Sequence, residues 1–342
     1  MDPLTQGLLG AAASQALLGE RLGRTAWMIG AFGGMLPDAD VFIRSAEDPL
    51  LEVEVHRGFT HALSFIPIGG VMAGAPWLIR ARYREQWRAV LGAGLVGYGT
   101  HGLLDACTTY GTQLLWPFSS LRTAWNCISI VDPIFTLILL VGVIWAARAR
   151  RGLPASMAIG LCMLYLGLGI VQRERAYAAQ EHIAHVRGHE PSRRAVFPTI
   201  GNLVVWRSLY EDRGHLYADR IRVAPVHSPT WAPGSSVEAL TAAEFATERH
   251  VSDRVLHDFE RFSWFSNGWT ARSPVDSTFI GDARYSLKME RFDPIWGVRF
   301  DPGGSPPTEW VNRTDAREMR LDALWSEITG LGAGYRPMTA PR

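Results

Sequence analysis

Apolar and polar positions divide this chain into two unlike halves. Up to about residue 172, runs of Leu, Ala, Gly, Ile and Val recur; beyond residue 190 the chain is polar, aromatic and charged. Residues 60–79, 89–106, 129–147 and 153–171 are apolar runs, each close to the ~20 residues that a membrane-spanning helix needs. Two earlier runs, residues 4–19 and 26–36, are shorter, and the second halts at Pro37. They predict helices shielded by neighbours, or a pair that enters and leaves. Broken backbone at membrane depth is tolerated where it lines a polar cavity. The expectation is a mainly α fold in which residues 1–172 form a polytopic transmembrane bundle of about six segments, two of them short.

Residues 173–190 predict a polar helical extension of the last span, and residues 191–342 a soluble α+β domain. Residues 202–210 alternate, with Val204, Trp206, Ser208 and Tyr210 on one face. Glu211-Asp212-Arg213-Gly214 is a turn signal, and residues 215–223 read as the returning strand. Residues 259–269 and 285–300 predict further strands. A helix over 309–329 follows Pro306-Pro307, with Thr308 as N-cap and Gly330 as its stop.

Charge adds an orientation. The densest basic loops hold Arg80, Arg82, Arg84 and Arg88, then Arg148, Arg150 and Arg151, and positive loops stay cytoplasmic. Counting from them puts His61, the loop 107–128, Asp132 and the domain after residue 190 on the opposite, periplasmic face. If the two short segments also span, Arg21 and Arg24 fall inside, and Asp38 and Asp40 outside. A formal net charge of +1 argues against a nucleic-acid partner held by bulk charge. The three cysteines, Cys107, Cys127 and Cys162, make neither a disulfide framework nor a zinc ribbon; Cys107 and Cys127 flank one loop, and a bridge between them has no sequence support. The N-terminus lacks a secretory signal, so membrane entry must use segments that remain.

Ionisable groups in lipid are costly enough to need a reason, and here they gather at apolar-run ends. His56-Arg57-Gly58-Phe59-Thr60-His61 leads into one run, Pro37-Asp38-Ala39-Asp40 closes another, and His101 and Asp105 share a helix face at i,i+4 spacing in a third. Each has a bland reading. A His–Asp pair can hydrogen-bond inside a bundle, Asp after Pro is turn chemistry, and Thr60 can cap the following helix. Taken together they predict a membrane-embedded divalent metal site with Asp40, His56, His61, His101 and Asp105 as ligands. Asp38 is expected as general base or ligand to a second metal, and Arg57 and Thr60 as the groups that hold an oxyanion or phosphate. Mixed nitrogen and oxygen donors suit zinc first, with manganese or magnesium as alternatives, and exclude a soft copper or iron–sulfur site. Three further features stay open. His182, His185 and His189 read as a solvated stripe or a second metal site, and Asp132 as an N-cap or a carboxylate that orients a ligand histidine. Tyr110 and Trp116 mark an interfacial belt or wall a lipid-head pocket.

These motifs carry a resemblance. Met1-Asp2-Pro3-Leu4-Thr5-Gln6-Gly7-Leu8-Leu9-Gly10, Leu36-Pro37-Asp38-Ala39-Asp40, His56 to His61 and His101-Gly102-Leu103-Leu104-Asp105 come in order. Thr109-Tyr110-Gly111-Thr112, Trp116-Pro117-Phe118 and Val131-Asp132-Pro133 complete the set. Residues 1 to about 140 resemble the YdjM-like membrane-bound metal-dependent hydrolases, a family of bacterial inner-membrane proteins. Many relatives have a histidine where this chain has Gln6. The resemblance implies a metal-dependent hydrolase in the inner membrane and supplies no substrate. The expected function is cleavage of a phosphoester or ester of a lipid or lipid-linked substrate by metal-activated water. The alternative is a non-catalytic membrane scaffold or ion-transport protein whose periplasmic domain binds a partner. A metalloprotease or amidase ranks third, since no His-Glu-x-x-His occurs in the chain.

Overall fold

The computed structural model describes residues 1–248, 251–301, 304–316 and 321–338. The chain divides into two compact units: Met1–Phe42, Val55–Val171 and Ile200–Asn202 form the first, and Ile43–Glu54, Gln172–Thr199 and Leu203–Arg342 the second.

The first unit is helical. Helix α1 (Pro3–Leu22) starts at Asp2, whose carboxylate accepts from Thr5 N at 3.0 Å, and ends at Gly23 in the left-handed region. Arg21 thus lies in the last turn of this helix. Helix α2 (Thr25–Met35) runs into a 3-10 turn, Leu36–Phe42. The short α3 (Leu51–Val55) comes next, and the apolar run 60–79 is broken. It folds as 3-10 turns Phe59–His61 and Leu63–Phe65, helix α4 (Ile66–Gly74) and a further 3-10 turn, Ala75–Ile79. Pro67 and Pro76 remove amide donors from this run, and four-residue hydrogen bonding does not hold through it. After α5 (Ala81–Arg84) come α6 (Trp87–Ala106), α7 (Pro133–Ala149) and α8 (Leu153–Val186). Asp132 caps α7: its Oδ1 accepts from Ile134 N and Phe135 N at 3.1 and 3.0 Å, and its Oδ2 from Tyr165 at 2.9 Å.

Small residues set the helix crossings. A Cβ on Gly30 would lie 2.3 Å from the Gly10 carbonyl, and one on Gly97 would lie 2.4 Å from the Gly30 carbonyl, so α1, α2 and α6 touch backbone to backbone. Ser14 on α1 donates to the Ala93 carbonyl on α6 at 2.8 Å. Leu9, Leu104, Phe135, Leu139, Val143 and Cys162 fill the core beside them. All three cysteines are buried, and none is in a disulfide.

Among the described residues one helix, α8, is long and apolar enough to cross a membrane. Residues Leu51–His61 and Leu63–Ile79 reach that standard only as a pair bent by 60°, and α7 is apolar but shorter. Only 28% of the apolar window of α8 is buried, whereas the core helix of a soluble protein would be mostly covered.

The second unit is a β-sheet domain with helices. Its first sheet is antiparallel, in the order β1 (Arg193–Pro198), β2 (Val205–Asp212), β3 (His215–Arg222), β4 (Thr230–Ala232) and β10 (Arg336–Pro337); β5 (Ser236–Glu238) also pairs with β3. The β2–β3 hairpin turns on Arg213 and Gly214, both at positive φ (49° and 76°), as a two-residue loop between right-twisted strands requires. Alternation sorts the faces. Val196, Trp206 and Ile221 pack on Ala176, Ala179 and Ile183 of α8, while Ala195, Phe197 and Leu209 pack on Trp269, Ala271 and Ala283. The second sheet is β6 (Thr270–Ser273), β7 (Asp276–Asp282), β8 (Trp296–Phe300) and β9 (Thr308–Asn312).

Three expectations for this unit fail. Residues 259–265 belong to helix α10 (Asp253–Phe265), which follows the short α9 (Ala242–Ala246); Phe259, Phe262 and Phe265 recur every third residue and are all buried, a helical period behind the N-cap Ser252. The stretch 285–300 is strand only over Trp296–Phe300. Residues 308–312 are strand β9, paired with β8, so Thr308 caps no helix. Helix α11 (Leu321–Thr329) does stop at Gly330, with φ +80°, and residues 317–320 lie outside the described residues.

Segment Ile43–Glu54 joins the second unit through Arg261 of α10. The guanidinium holds both Asp48 oxygens at 2.9 Å and Glu54 Oε2 at 2.6 Å, and Arg254 donates to the Glu47 carbonyl at 3.1 Å.

Candidate metal centre

Four side chains converge in the first unit. Asp38 comes from the 3-10 turn after α2, His61 from the 3-10 turn Phe59–His61, and His101 and Asp105 from successive turns of α6. Gly102 makes the approach possible, since a Cβ there would lie 2.2 Å from the His61 carbonyl. One ligand-type atom from each of the four lies within 4.8 Å of the others. The Nε2 atoms of His61 and His101 are 2.9 Å apart. Asp38 Oδ1 is 3.4 Å from the first and 3.3 Å from the second, and Asp105 Oδ2 is 3.3 and 3.5 Å from them. Donors placed tetrahedrally around zinc at about 2.0–2.1 Å lie about 3.3 Å from one another.

Both imidazoles are oriented from behind. His101 Nδ1 meets the Gly34 carbonyl at 2.6 Å; a carbonyl can only accept, so a proton sits on Nδ1 and in the neutral ring the lone pair is on Nε2. Thr60 Oγ1 donates its one proton to Asp40 Oδ2 at 2.7 Å and accepts from His61 Nδ1 at 2.9 Å, so in the neutral ring the His61 lone pair is on Nε2 as well. With both rings neutral these lone pairs face each other, and a shared proton or a divalent ion between or beside them relieves the repulsion. Asp105 Oδ1 accepts from Gln6 Nε2 at 2.9 Å and from the Met1 amine. Its Oδ2 is buried and makes no hydrogen bond, although Arg57 Nε lies 3.1 Å away. Carboxylate oxygens of Asp38 and Asp105 beside two imidazole nitrogens are the donor set a divalent ion takes.

Of the residues singled out in the sequence, Asp38, His61, His101 and Asp105 therefore form the inner group. Asp40 stands one layer out: its Oδ2 is 3.3 Å from His61 Nδ1 and accepts from Arg57 N at 3.2 Å. His56 is a layer further, with Nδ1 2.7 Å from Asp40 Oδ1. The Arg57 Nη1 donates to Thr108 Oγ1 at 2.8 Å, and its backbone adopts φ 63°, a conformation that costs a non-glycine residue energy and persists where the surroundings enforce it. Burial pushes the Asp38 carboxyl up, but the imidazoles of His101 and His61 beside it win and hold it well below the usual carboxylate range. For Asp40 burial again opposes, and the bonds from His56 and His61 win. Both stay anionic. The Asp38 side chain is 21% exposed, against 0–1% for the other three, so it marks the open side.

Sequence reasoning left the part of Gln6 open and missed those of Tyr98 and Arg122. Gln6 steadies Asp105, Tyr98 donates to the Thr60 carbonyl at 2.6 Å, and Arg122 donates to the Gly111 carbonyl at 3.0 Å and reaches that of His56 at 3.5 Å. A polar residue buried in an apolar helix was the available signal for Gln6. No spacing links Arg122 to the other motifs.

A family model described as the YdjM inner membrane protein matches residues 1–176, half of the chain. Inner membrane protein YbcI of Escherichia coli (strain K12) is 37% identical over 103 residues, 28% of this chain and 57% of that protein. The chain thus spans little more than half the length of that curated relative. No solved structure matches. Motifs, helical unit and family match coincide over the same residues, and the chain belongs to the YdjM inner membrane protein family.

Proposed function

We propose that this protein is an integral inner-membrane hydrolase in which Asp38, His61, His101 and Asp105 hold a divalent ion, zinc before manganese or magnesium. The observation that carries the reading is the convergence of one ligand-type atom from each of Asp38, His61, His101 and Asp105 within 4.8 Å of one another. Such an ion supplies Lewis acidity, which acidifies a water and polarises a phosphoryl or carbonyl oxygen. The chain does the positioning. Thr60 and Asp40 fix the His61 ring, Gln6 fixes the Asp105 carboxylate, and the Gly34 carbonyl fixes His101. Thr60 has its hydroxyl committed between Asp40 and His61, so it orients a ligand and leaves the substrate oxygen to Arg57.

The substrate class we assign is a phosphoester or ester of a membrane lipid or lipid-linked molecule, because the site opens at the ends of apolar helices. We also assign a multi-pass topology with the strand-rich unit in the periplasm, supported by the basic loops at Arg80–Arg88 and Arg148–Arg151. The deciding experiment is metal analysis of the detergent-purified protein, repeated with His61→Ala and His101→Ala. Bound zinc that disappears in both variants supports the reading; unchanged stoichiometry in both ends it.

A further inference from the structure

The ring of Tyr110 is flanked by two guanidiniums beside the inner group. Arg57 Cζ lies 4.7 Å from the ring centroid and Arg122 Cζ 5.3 Å, and the His56 ring meets it edge to face at 5.6 Å. Arg57 is buried against Asp105, and Arg122 is half-buried. The position of Arg122 is built into the loop. Thr112 and Thr123 bridge through Thr112 N to Thr123 O at 3.0 Å and Thr123 N to Thr112 O at 2.8 Å. Gly111, at φ 90°, leaves room beside Arg122, where a Cβ would lie 3.0 Å from the Arg122 Cβ. The same loop turns large apolar side chains outward: Phe118 is 89% exposed, Leu121 67% and Trp125 44%.

Two physical consequences follow. Arg57, Arg122 and the divalent charge of the proposed ion together outweigh the three carboxylates Asp38, Asp40 and Asp105, and that balance favours an anion. A planar guanidinium stacked on an aromatic ring is also suited to phosphate. The adjoining apolar side chains are costly to leave in water, and a surface of this kind marks a lipid contact.

We propose that Arg122 and Tyr110, backed by Arg57, form a subsite for the phosphate of a lipid headgroup, with the acyl chains lying against Phe118 and Leu121. The inference rests on the metal-centre reading for its location, and the test separates the two. Binding of dioctanoyl phosphatidic acid, dioctanoylglycerol and inorganic phosphate is measured on the full chain in detergent by native mass spectrometry, alongside metal stoichiometry. The expected result is that phosphatidic acid binds well above the other two, and that Arg122→Gln weakens it by about tenfold, the loss of one charge-assisted contact. Arg122→Lys recovers part of the loss, and both variants keep the wild-type metal content. Equal binding of phosphatidic acid to Arg122→Gln with metal content intact would overturn the subsite and leave the metal reading standing. Dioctanoylglycerol matching phosphatidic acid would overturn the phosphate assignment, and inorganic phosphate matching it would overturn the lipid assignment. Arg122-dependent lipid binding in a protein that holds no metal would sustain the subsite and end the metal reading.

Discussion

His61 and His101 aim their Nε2 atoms at each other across 2.9 Å, although they come from different segments and each is locked from behind by its Nδ1 proton. Two imidazoles fixed in this way, when neutral, create a demand for positive charge. The tautomers are the informative part, because they follow from a carbonyl that can only accept and a hydroxyl with one proton to give.

Zinc should therefore stabilise the fold. A ligand that binds only the native state adds about 2.7 kcal/mol at a free concentration of 100 times its Kd. Thermal unfolding in detergent is expected to shift upward with added zinc and downward with a chelator. His101→Ala should respond to neither.

The layer behind His61 predicts a graded effect. Asp40→Asn and Thr60→Val leave all four inner donors in place and release the ring. Chelator competition should show zinc affinity lower by about 10–100-fold in each. Asp38→Ala should cost more than either, and a smaller loss there would place Asp38 outside the inner group.

Gly102 offers a test that alters no polar group. Gly102→Ala puts a methyl 2.2 Å from the His61 carbonyl, so the 3-10 turn Phe59–His61 must retreat from α6. Overpacking of this kind costs about 1–3 kcal/mol. The expected variant is folded but binds zinc weakly; wild-type affinity would show that His61 does not need this approach.

Arg261 predicts a pH dependence in the second unit. Its hydrogen bond holds the Asp48 carboxyl below the usual range, with burial opposing. A depressed carboxylate contributes stability that is fully present above its unfolded pKa of about 3.9 and is lost as pH falls through the lower folded value. Arg261→Ala should speed hydrogen exchange across residues 43–54 at pH 7, and the difference from wild type should shrink as pH falls below about 3.9. Asp48 and Glu54 are 35% and 45% exposed, so each pair contributes about 0.2–1 kcal/mol.

The sequence made the membership of the site legible, and its layering much less so. His61, His101 and Asp105 announce themselves as ionisable groups among apolar neighbours, and i,i+4 spacing puts two of them on one face of α6. Asp38 and Asp40 could not be told apart in this way. They are two residues apart in a 3-10 turn, where i and i+2 point in different directions and only the partners decide which faces inward. His56 reads like His61 in sequence, yet it faces Asp40 and Tyr110. The hairpin at Arg213-Gly214 was legible because turn chemistry is local. Helix α10 was missed because aromatic density suggests strand, while the spacing of Phe259, Phe262 and Phe265 carries the helical period.

The assignment of residues 43–54 to the strand-rich unit matters to anyone dividing the gene. Asp40 and His56 stand at the two ends of that stretch, and its salt-bridge partner Arg261 lies more than two hundred positions downstream. Severing the polypeptide after residue 171 would thus leave the motif-bearing half with an untethered strap between its two hydrogen-bonded partners. In a two-plasmid complementation, with the fragments synthesised separately, the second fragment would have to supply Arg261 for Asp48 and Glu54 to be paired again.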